Sequence, residues 1–176
     1  VKMKIETELV RSARLGDKES FAQVYDQVAM DLYKVALYTL GNAHDAEDVV
    51  SETFIEAYKG IKNLRDDSSF KPWIMRILSI RCKRRIGGYV KEKGNIDIEE
   101  CINAPAEEGD LAGSASERVT VLQALDSLSE QERLIISLAV MQGYTTREVS
   151  EMLNIPHGTV SSKLHRSLIK LRKILE

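Results

Sequence analysis

Apolar residues in this chain recur mainly at spacings of three and four, the period of amphipathic helices rather than half-buried strands. Residues 4 to 15 predict a short helix with Ile5, Leu9 and Val10 on its apolar side, broken by Gly16-Asp17. From 18 to 40, Phe21, Val24, Tyr25, Val28, Leu32, Val35, Ala36 and Leu40 mark one long face that can be buried, and Gly41-Asn42 stops it. A third helix is expected from about Asp45 to Gly60, with Val49, Val50, Phe54, Ala57 and Tyr58 supplying apolar contacts. Asp45, Glu47 and Asp48 crowd its first turn, where the helix dipole favours negative charge. A fourth helix covers Phe70 to Arg85, capped by Asp66, Asp67 or Ser68, with Pro72 tolerated in its first turn. Trp73, Ile74, Ile77, Leu78 and Cys82 point inward on it, and Gly87-Gly88 is expected to end it.

Periodicity fades from Tyr89 to Ala115, where acids accumulate and Pro105, Gly109 and Gly113 appear. That combination predicts an extended tether. Helical spacing resumes at about Ser116 to Leu125. Ser129 then caps a helix with Glu132 three residues on, and Leu134, Ile135, Leu138 and Ala139 form its apolar stripe before Gly143. Thr145 and Glu148 repeat the capping pattern, with Val149, Met152 and Leu153 inward. In the turn Asn154-Ile155-Pro156-His157-Gly158, Pro156 cannot continue the preceding helix and Gly158 tolerates unusual dihedrals. Thr159 is expected to cap the last helix, which would bury Val160, Leu164, Leu168, Leu171 and Leu175. The fold class is therefore all-α. Two small helical domains, residues 1–88 and 116–176, are joined by an acidic flexible linker at 89–115, and the second is a four-helix unit containing a helix-turn-helix.

Composition agrees with a soluble globular protein: 176 residues, 43% hydrophobic and 30% charged. No apolar run reaches the length of a membrane span, so no direct membrane association is expected. The N-terminal VKMKIETELV lacks a signal peptide's apolar core, which predicts a cytoplasmic location. The net charge of -2 conceals a division. Residues 87–116 carry two basic and seven acidic side chains, while each flanking part is slightly basic. DNA responds to such a local field more than to the total. Lys71, Arg76, Arg81, Lys83, Arg84 and Arg85 are six cations without an intervening acid, and Gly158 to Leu175 holds five more with no carboxylate.

These features leave alternatives at individual residues. Glu52 and Glu56 suit a solvated helix face or a docking surface for a basic or polar partner helix. Trp73 suits a core anchor better than a base-stacking platform. The last helix suits a major groove, or a bundle whose final helix is merely basic. Cys82 and Cys101 are distant in sequence and lack nearby metal-ligand partners, and His44, His157 and His165 form no metal motif. No nucleotide-binding glycine motif or nucleophile-base arrangement is present. Neither an enzyme nor a cofactor is expected.

Two stretches, in order, now carry a resemblance. LYKVALYTLGNAHDAEDVVSETFIEAYKGIKNLRDDSSFKPWIMRI, Leu32 to Ile77, and LDSLSEQERLIISLAVMQGYTTREVSEMLNIPHGTVSSKLHRSLIKLRKIL, Leu125 to Leu175, are similar to the extracytoplasmic-function group of bacterial RNA polymerase sigma factors. The resemblance implies that the first domain docks on core RNA polymerase and recognises and melts the minus-ten promoter element. Asp45, Asp48, Glu52 and Glu56 then lie in or beside the docking helix, with Glu52 of the family-like ETF foremost. Asp67, Ser68, Ser69 and Phe70 fall in the loop expected to help hold a displaced base. Lys71, Trp73, Arg76, Arg81 and Arg84 fall near the minus-ten DNA, with packing an alternative role for Trp73.

The second domain is implied to read the minus-35 duplex. The family's GTVKSRLHRA stands here as GTVSSKLHRS, with Thr159, Ser162, Lys163 and Arg166 as the DNA candidates. Lys163 in place of the usual arginine keeps the charge but loses the bidentate fork. Ser161 replaces a frequent lysine, and Ser51 stands where glutamine commonly precedes ETF. Partners implied are core RNA polymerase, promoter DNA and an anti-sigma factor, in the bacterial cytoplasm. The competing reading is a polymerase-independent regulator that uses only the helix-turn-helix.

Overall fold

The structure, a computed structural model, describes residues 5–93 and 115–176. Among them the first unit contains α1 (Thr7–Arg14), α2 (Lys18–Leu40), α3 (Ala43–Gly60) and α4 (Phe70–Lys93). The second contains α5 (Ala115–Asp126), α6 (Glu130–Ile136), α7 (Thr146–Leu153) and α8 (His157–Leu175). Residues 94–114, which include Cys101 and most of the expected linker, fall outside the described residues.

Local chemistry explains most boundaries. Asp17 caps α2 by accepting from the Ser20 backbone N–H, and Gly41 ends that helix at φ 70°, a left-handed geometry costly for any residue with a Cβ. Asn42 accepts from Asp45 N–H at 3.0 Å, so α3 starts slightly before the acidic residues that had suggested its first turn. Both predicted capping boxes form. Glu132 accepts from Ser129 N–H at 2.9 Å, and Glu148 from Thr145 N–H at 2.7 Å. The Ser129 hydrogen bond holds the Glu132 carboxyl below its ordinary pKa, against the opposing effect of burial.

Four expectations need correction. Gly87-Gly88 does not end α4, which continues to Lys93 and takes in the beginning of the expected linker. Glycine costs only about 1 kcal/mol in a helix interior, less than a cooperative helix already formed can absorb, and no proline follows. Thr159 is not the cap of α8. Pro156 holds the N-cap position, and its carbonyl accepts from Thr159 N–H at 2.9 Å and Val160 N–H at 3.1 Å. The unusual backbone of the turn belongs to Asn154, at φ 52° and ψ 49°, rather than to Gly158. Finally, Leu168 and Leu175 are exposed, while Ser167 is buried beside Val160 on the inner face of α8. Leu164 and Leu171 pack against the core, so cover along α8 is one-sided and leaves Leu168 and Leu175 in solvent.

The two units do not sit apart. One continuous apolar core joins Leu32, Val35, Ile74, Met75 and Leu78 of the first to Leu134, Ile135, Leu138, Val149, Leu153 and Val160 of the second. α6 packs on α2, and α7 packs on α4. Tyr38 of α2 also touches the smaller cluster of Leu125, Leu128 and Ile136. Periodicity identified the inward residues of each unit but held no information about which residues of one would meet the other.

Candidate functional site

The carboxylates Asp45, Asp48, Glu52 and Glu56 follow at intervals of three and four along α3, so they form one acidic stripe. α4 runs beside it. Arg81 donates from Nη2 to Glu56 at 2.6 Å and from Nη1 to Glu52 at 3.2 Å. Arg85 reaches Asp45 at 3.2 Å, Glu52 at 3.4 Å and Asp48 at 3.7 Å. The hydrogen bond to Glu56 raises the Arg81 pKa above its ordinary value. Ile55 and Tyr58 are exposed on the same helix, 57% and 50%, which places apolar surface among the charges. An open depression of about 270 Å³ is lined by Glu52, Ile55, Glu56, Lys59 and Arg81. The acids therefore remain half-exposed but are oriented by their own arginines. Arg81, which the resemblance places near minus-ten DNA, lies in this structure against the acidic stripe.

The loop before α4 is tightly tied. Asp66 accepts from Ser68 N–H at 3.0 Å and from the Ser68 hydroxyl at 2.7 Å, and Ser69 donates to the Asp66 carbonyl at 2.6 Å. Asp67 is engaged by α1, accepting from Arg14 Nε at 2.7 Å and Arg11 Nε at 3.4 Å. The Arg14 hydrogen bond holds the Asp67 carboxyl below its ordinary range. Beside it an open depression of about 160 Å³ is bordered by Ile5, Thr7, Val10, Asp67, Ser68, Phe70 and Lys71. α1 thus helps build the loop site, a contribution not visible in the sequence reading. The only available signal was the pair Arg11 and Arg14, three residues apart on one short helix.

Phe70 is 1% exposed and tilted against Trp73, with ring centroids 5.7 Å apart. Trp73 in turn lies against Gly60, where an added Cβ would meet the indole at 3.3 Å. Packing therefore accounts for both aromatics. Arg76 and Arg84 are exposed and make no ion pair among the described residues. Cys82 is fully buried, and burial pushes its thiol up to about 12, which keeps it protonated and unreactive at neutral pH.

The helix-turn-helix is pinned by Ser150, whose hydroxyl donates to the Ile155 carbonyl at 2.6 Å, and by a 2.8 Å contact between Thr146 Oγ1 and His157 Nε2. Val160 anchors α8 with no exposed surface. On its opposite side Ser162 and Arg166 are exposed, while Thr159 and Lys163 are half-buried. Arg166 Nε donates to the Ser162 carbonyl at 3.3 Å, and Ser162 donates to the Thr159 carbonyl at 3.1 Å. The four DNA candidates are thus brought together near the start of one rigid helix. α8 itself carries no carboxylate, and the charge of Lys163 acts on Glu132 of α6.

Basic and hydroxyl-bearing side chains thus gather at the start of α8, and exposed arginines stand on α4. Comparison with known proteins identifies the family. A family model for Sigma-70 region 2 matches residues 24–88, and one for Sigma-70 region 4 matches residues 124–173. The ECF RNA polymerase sigma factor SigW of Bacillus subtilis (strain 168) is 29% identical, covering 94% of this chain and 94% of that protein. The ECF RNA polymerase sigma-E factor of Haemophilus influenzae is 29% identical over 90% of this chain and 89% of its own length. In fold, the chain resembles a solved structure of CnrH in complex with the cytosolic domain of CnrY, with TM-score 0.66, 21% identity and 96% coverage of both chains. It also resembles sigma factor RpoE in complex with the anti-sigma factor NepR from Bartonella quintana, with TM-score 0.65, 24% identity and coverage of 89% of this chain and 97% of that one. The protein belongs to the extracytoplasmic-function group of the sigma-70 family of RNA polymerase sigma factors. It binds RNA polymerase and recognises promoters for transcription initiation. Among the described residues, no helix is long and apolar enough to cross a membrane.

Proposed function

We propose that the acidic stripe of α3 is the polymerase-docking face, and that α8 reads the minus-35 element. Segregation of charge carries this assignment. Half-exposed carboxylates gather around Ile55 and Tyr58 on α3, whereas Ser162 and Arg166 are exposed on the acid-free side of α8. The Asp66–Phe70 loop, with Lys71, Trp73, Arg76 and Arg84 on α4, serves the minus-ten element. Arg76 and Arg84 supply phosphate contact, while Phe70 and Trp73 act by packing. Arg81 serves the docking face through Glu52 and Glu56.

Mechanistically, polymerase fixes two weak DNA modules near their targets, so the second contact becomes intramolecular. Promoter opening draws on binding free energy, by holding displaced bases and the single strand, rather than on nucleotide hydrolysis. Phosphodiester chemistry belongs to the polymerase, and the sigma chain itself is not an enzyme. The work takes place in the bacterial cytoplasm, and an anti-sigma factor that covers these faces would hold the chain inactive. The test is reconstituted transcription with compatible core polymerase and genomic promoters, with core affinity measured for the parent chain and Glu52→Ala. Promoter-specific transcripts and weaker core association of the variant are expected. Unchanged affinity of a well-folded variant rejects the docking face. Regulation seen only when another sigma factor supplies initiation favours an independent helix-turn-helix regulator.

A further inference from the structure

Two sets of hydrogen bonds hold the loop before α4, and they differ in reach. Those of Asp66 run to Ser68 and Ser69 and close the loop on itself. Those of Asp67 leave the loop and end on α1. Arg14 presents a fork, with Nε 2.7 Å from one Asp67 oxygen and Nη2 3.5 Å from the other. Arg11 adds its Nε to the second oxygen at 3.4 Å. The Asp67 side chain is left only 10% exposed. α1 is itself held in place: Val10 and Ala13 are buried, the helix packs on α2, and Glu6 N–H donates to Gln27 Oε1 at 3.2 Å. Arg11 and Arg14 stand in its last turn, where the helix dipole favours cations.

The same carboxylate borders the depression of about 160 Å³, with Ser68 and Phe70 on the loop side and Ile5, Thr7 and Val10 on the α1 side. α1 therefore supplies one wall and fixes the other. A carboxylate free to turn in such a wall would repel the phosphates of a single strand. It would also accept from any base amine that entered, whatever that base's orientation. Bound through both oxygens, Asp67 is neutralised and aimed at once. The two arginines against one carboxylate leave the group cationic, and the loop stands at a set distance from α1.

We propose that Arg14, supported by Arg11, is a positioning residue for minus-ten recognition: it fixes Asp67, and with it the width and hydrogen-bonding edge of the cleft between α1 and the loop, so that one displaced base is preferred over the others. Arg14 acts on the carboxylate and not on DNA. This role presupposes that the Asp66–Phe70 loop holds a displaced base. It adds an element from outside the matched region, since α1 ends before residue 24, where the match to Sigma-70 region 2 begins. A lysine at position 14 would keep the charge but lose the fork. Affinity for a single strand and preference among bases should therefore respond separately to substitution.

The test uses holoenzyme assembled on core polymerase and a pool of single-stranded DNA decamers of random sequence. Bound strands are sequenced, and selected decamers are titrated singly. In the parent, one position is expected to favour its best base over its worst by about tenfold, the scale of one lost base contact. Arg14→Ala is expected to reduce that ratio to about twofold while preferences at other positions stay as they are. Arg14→Lys should bind the preferred decamer within about twofold of the parent yet lose most of the preference. Exchanging the pair, Arg14→Asp with Asp67→Arg, should restore preference above either single substitution. Circular dichroism and core affinity check the fold of each variant, and Arg14→Lys carries the readouts if Arg14→Ala does not fold. A parental ratio in Arg14→Ala, or an equal loss of affinity for every decamer, overturns the positioning role. Preference lost in Ser68→Ala but kept in Arg14→Ala rejects the role of α1 and keeps that of the loop. Preference absent from the parent, or kept in both variants, rejects both.

Discussion

α4 and α8 look alike as sequences: each is cationic and free of acids through most of its length. The fold gives them different surroundings. On α4, Arg81 and Arg85 face the carboxylates of α3, Lys83 meets the end of α7, and Lys71 lies over Tyr144. Arg76 and Arg84 remain exposed. On α8, Ser162, Arg166 and Lys170 face outward, and the hydrogen bonds of Ser162 and Arg166 run to backbone carbonyls of their own helix. Cation density therefore measures the capacity to attract an anion, while neighbouring elements decide whether that anion is DNA or the chain's own carboxylate. A helix in the middle of a bundle has several such neighbours.

The largest effect that tests this contrast concerns the core through which α4 acquired its partners. Leu134→Ala removes a fully buried side chain from that shared core and is expected to cost about 2–5 kcal/mol in thermal or denaturant unfolding. If only the second unit were affected, with the first unit's transition unchanged, the two cores would be independent and the contrast would lose its basis. Next in size, Arg166→Ala is expected to weaken minus-35 duplex binding by about 1–3 kcal/mol while leaving core association unchanged. Unaltered duplex binding would mean that exposure on α8 is no better a guide to DNA contact than charge on α4.

A smaller effect sharpens the assignment of Arg81. A double-mutant cycle between Arg81→Ala and Glu56→Ala, read in core affinity, is expected to give coupling of about 0.2–1 kcal/mol, as for a partly exposed pair. Additive losses would return Arg81 to the minus-ten strip. The smallest is a pH dependence at the loop. Because Arg14 holds Asp67 below the ordinary aspartate pKa of 3.8, its stabilising effect is fully present above that value and is lost as pH falls through the lower folded value. Unfolding curves of the parent and Asp67→Asn should therefore stay separated from neutral pH to about pH 5 and converge below 3.8. Curves with the same separation at all these pH values would show that the pair with α1 does not stabilise the loop.

Much of the architecture was legible because its causes are local. Both capping boxes, the stop at Gly41 and the long face of α2 follow from residues within a turn or two of one another. The acidic stripe and the GTVSSKLHRS helix were equally legible, since their spacing alone places the residues on common faces. The errors arose where a local preference was weak. The glycine pair in α4 lowers helix stability without forbidding a helix, and the cap of α8 was shared among several eligible residues in a short turn.

By itself, the sequence determined an all-helical chain with two promoter-factor regions, and it marked the carboxylates and cations available for binding. Tertiary structure alone decided that Arg81 and Arg85 answer the acids of α3, that α1 holds Asp67, and that the two units close over one core. Caps and stripes depend on neighbours a few residues away, which the order of residues specifies directly. Ion pairs between helices and the seam between units join groups tens of residues apart, as Lys83 and Leu153 are. Such pairings exist only once packing has brought the helices together.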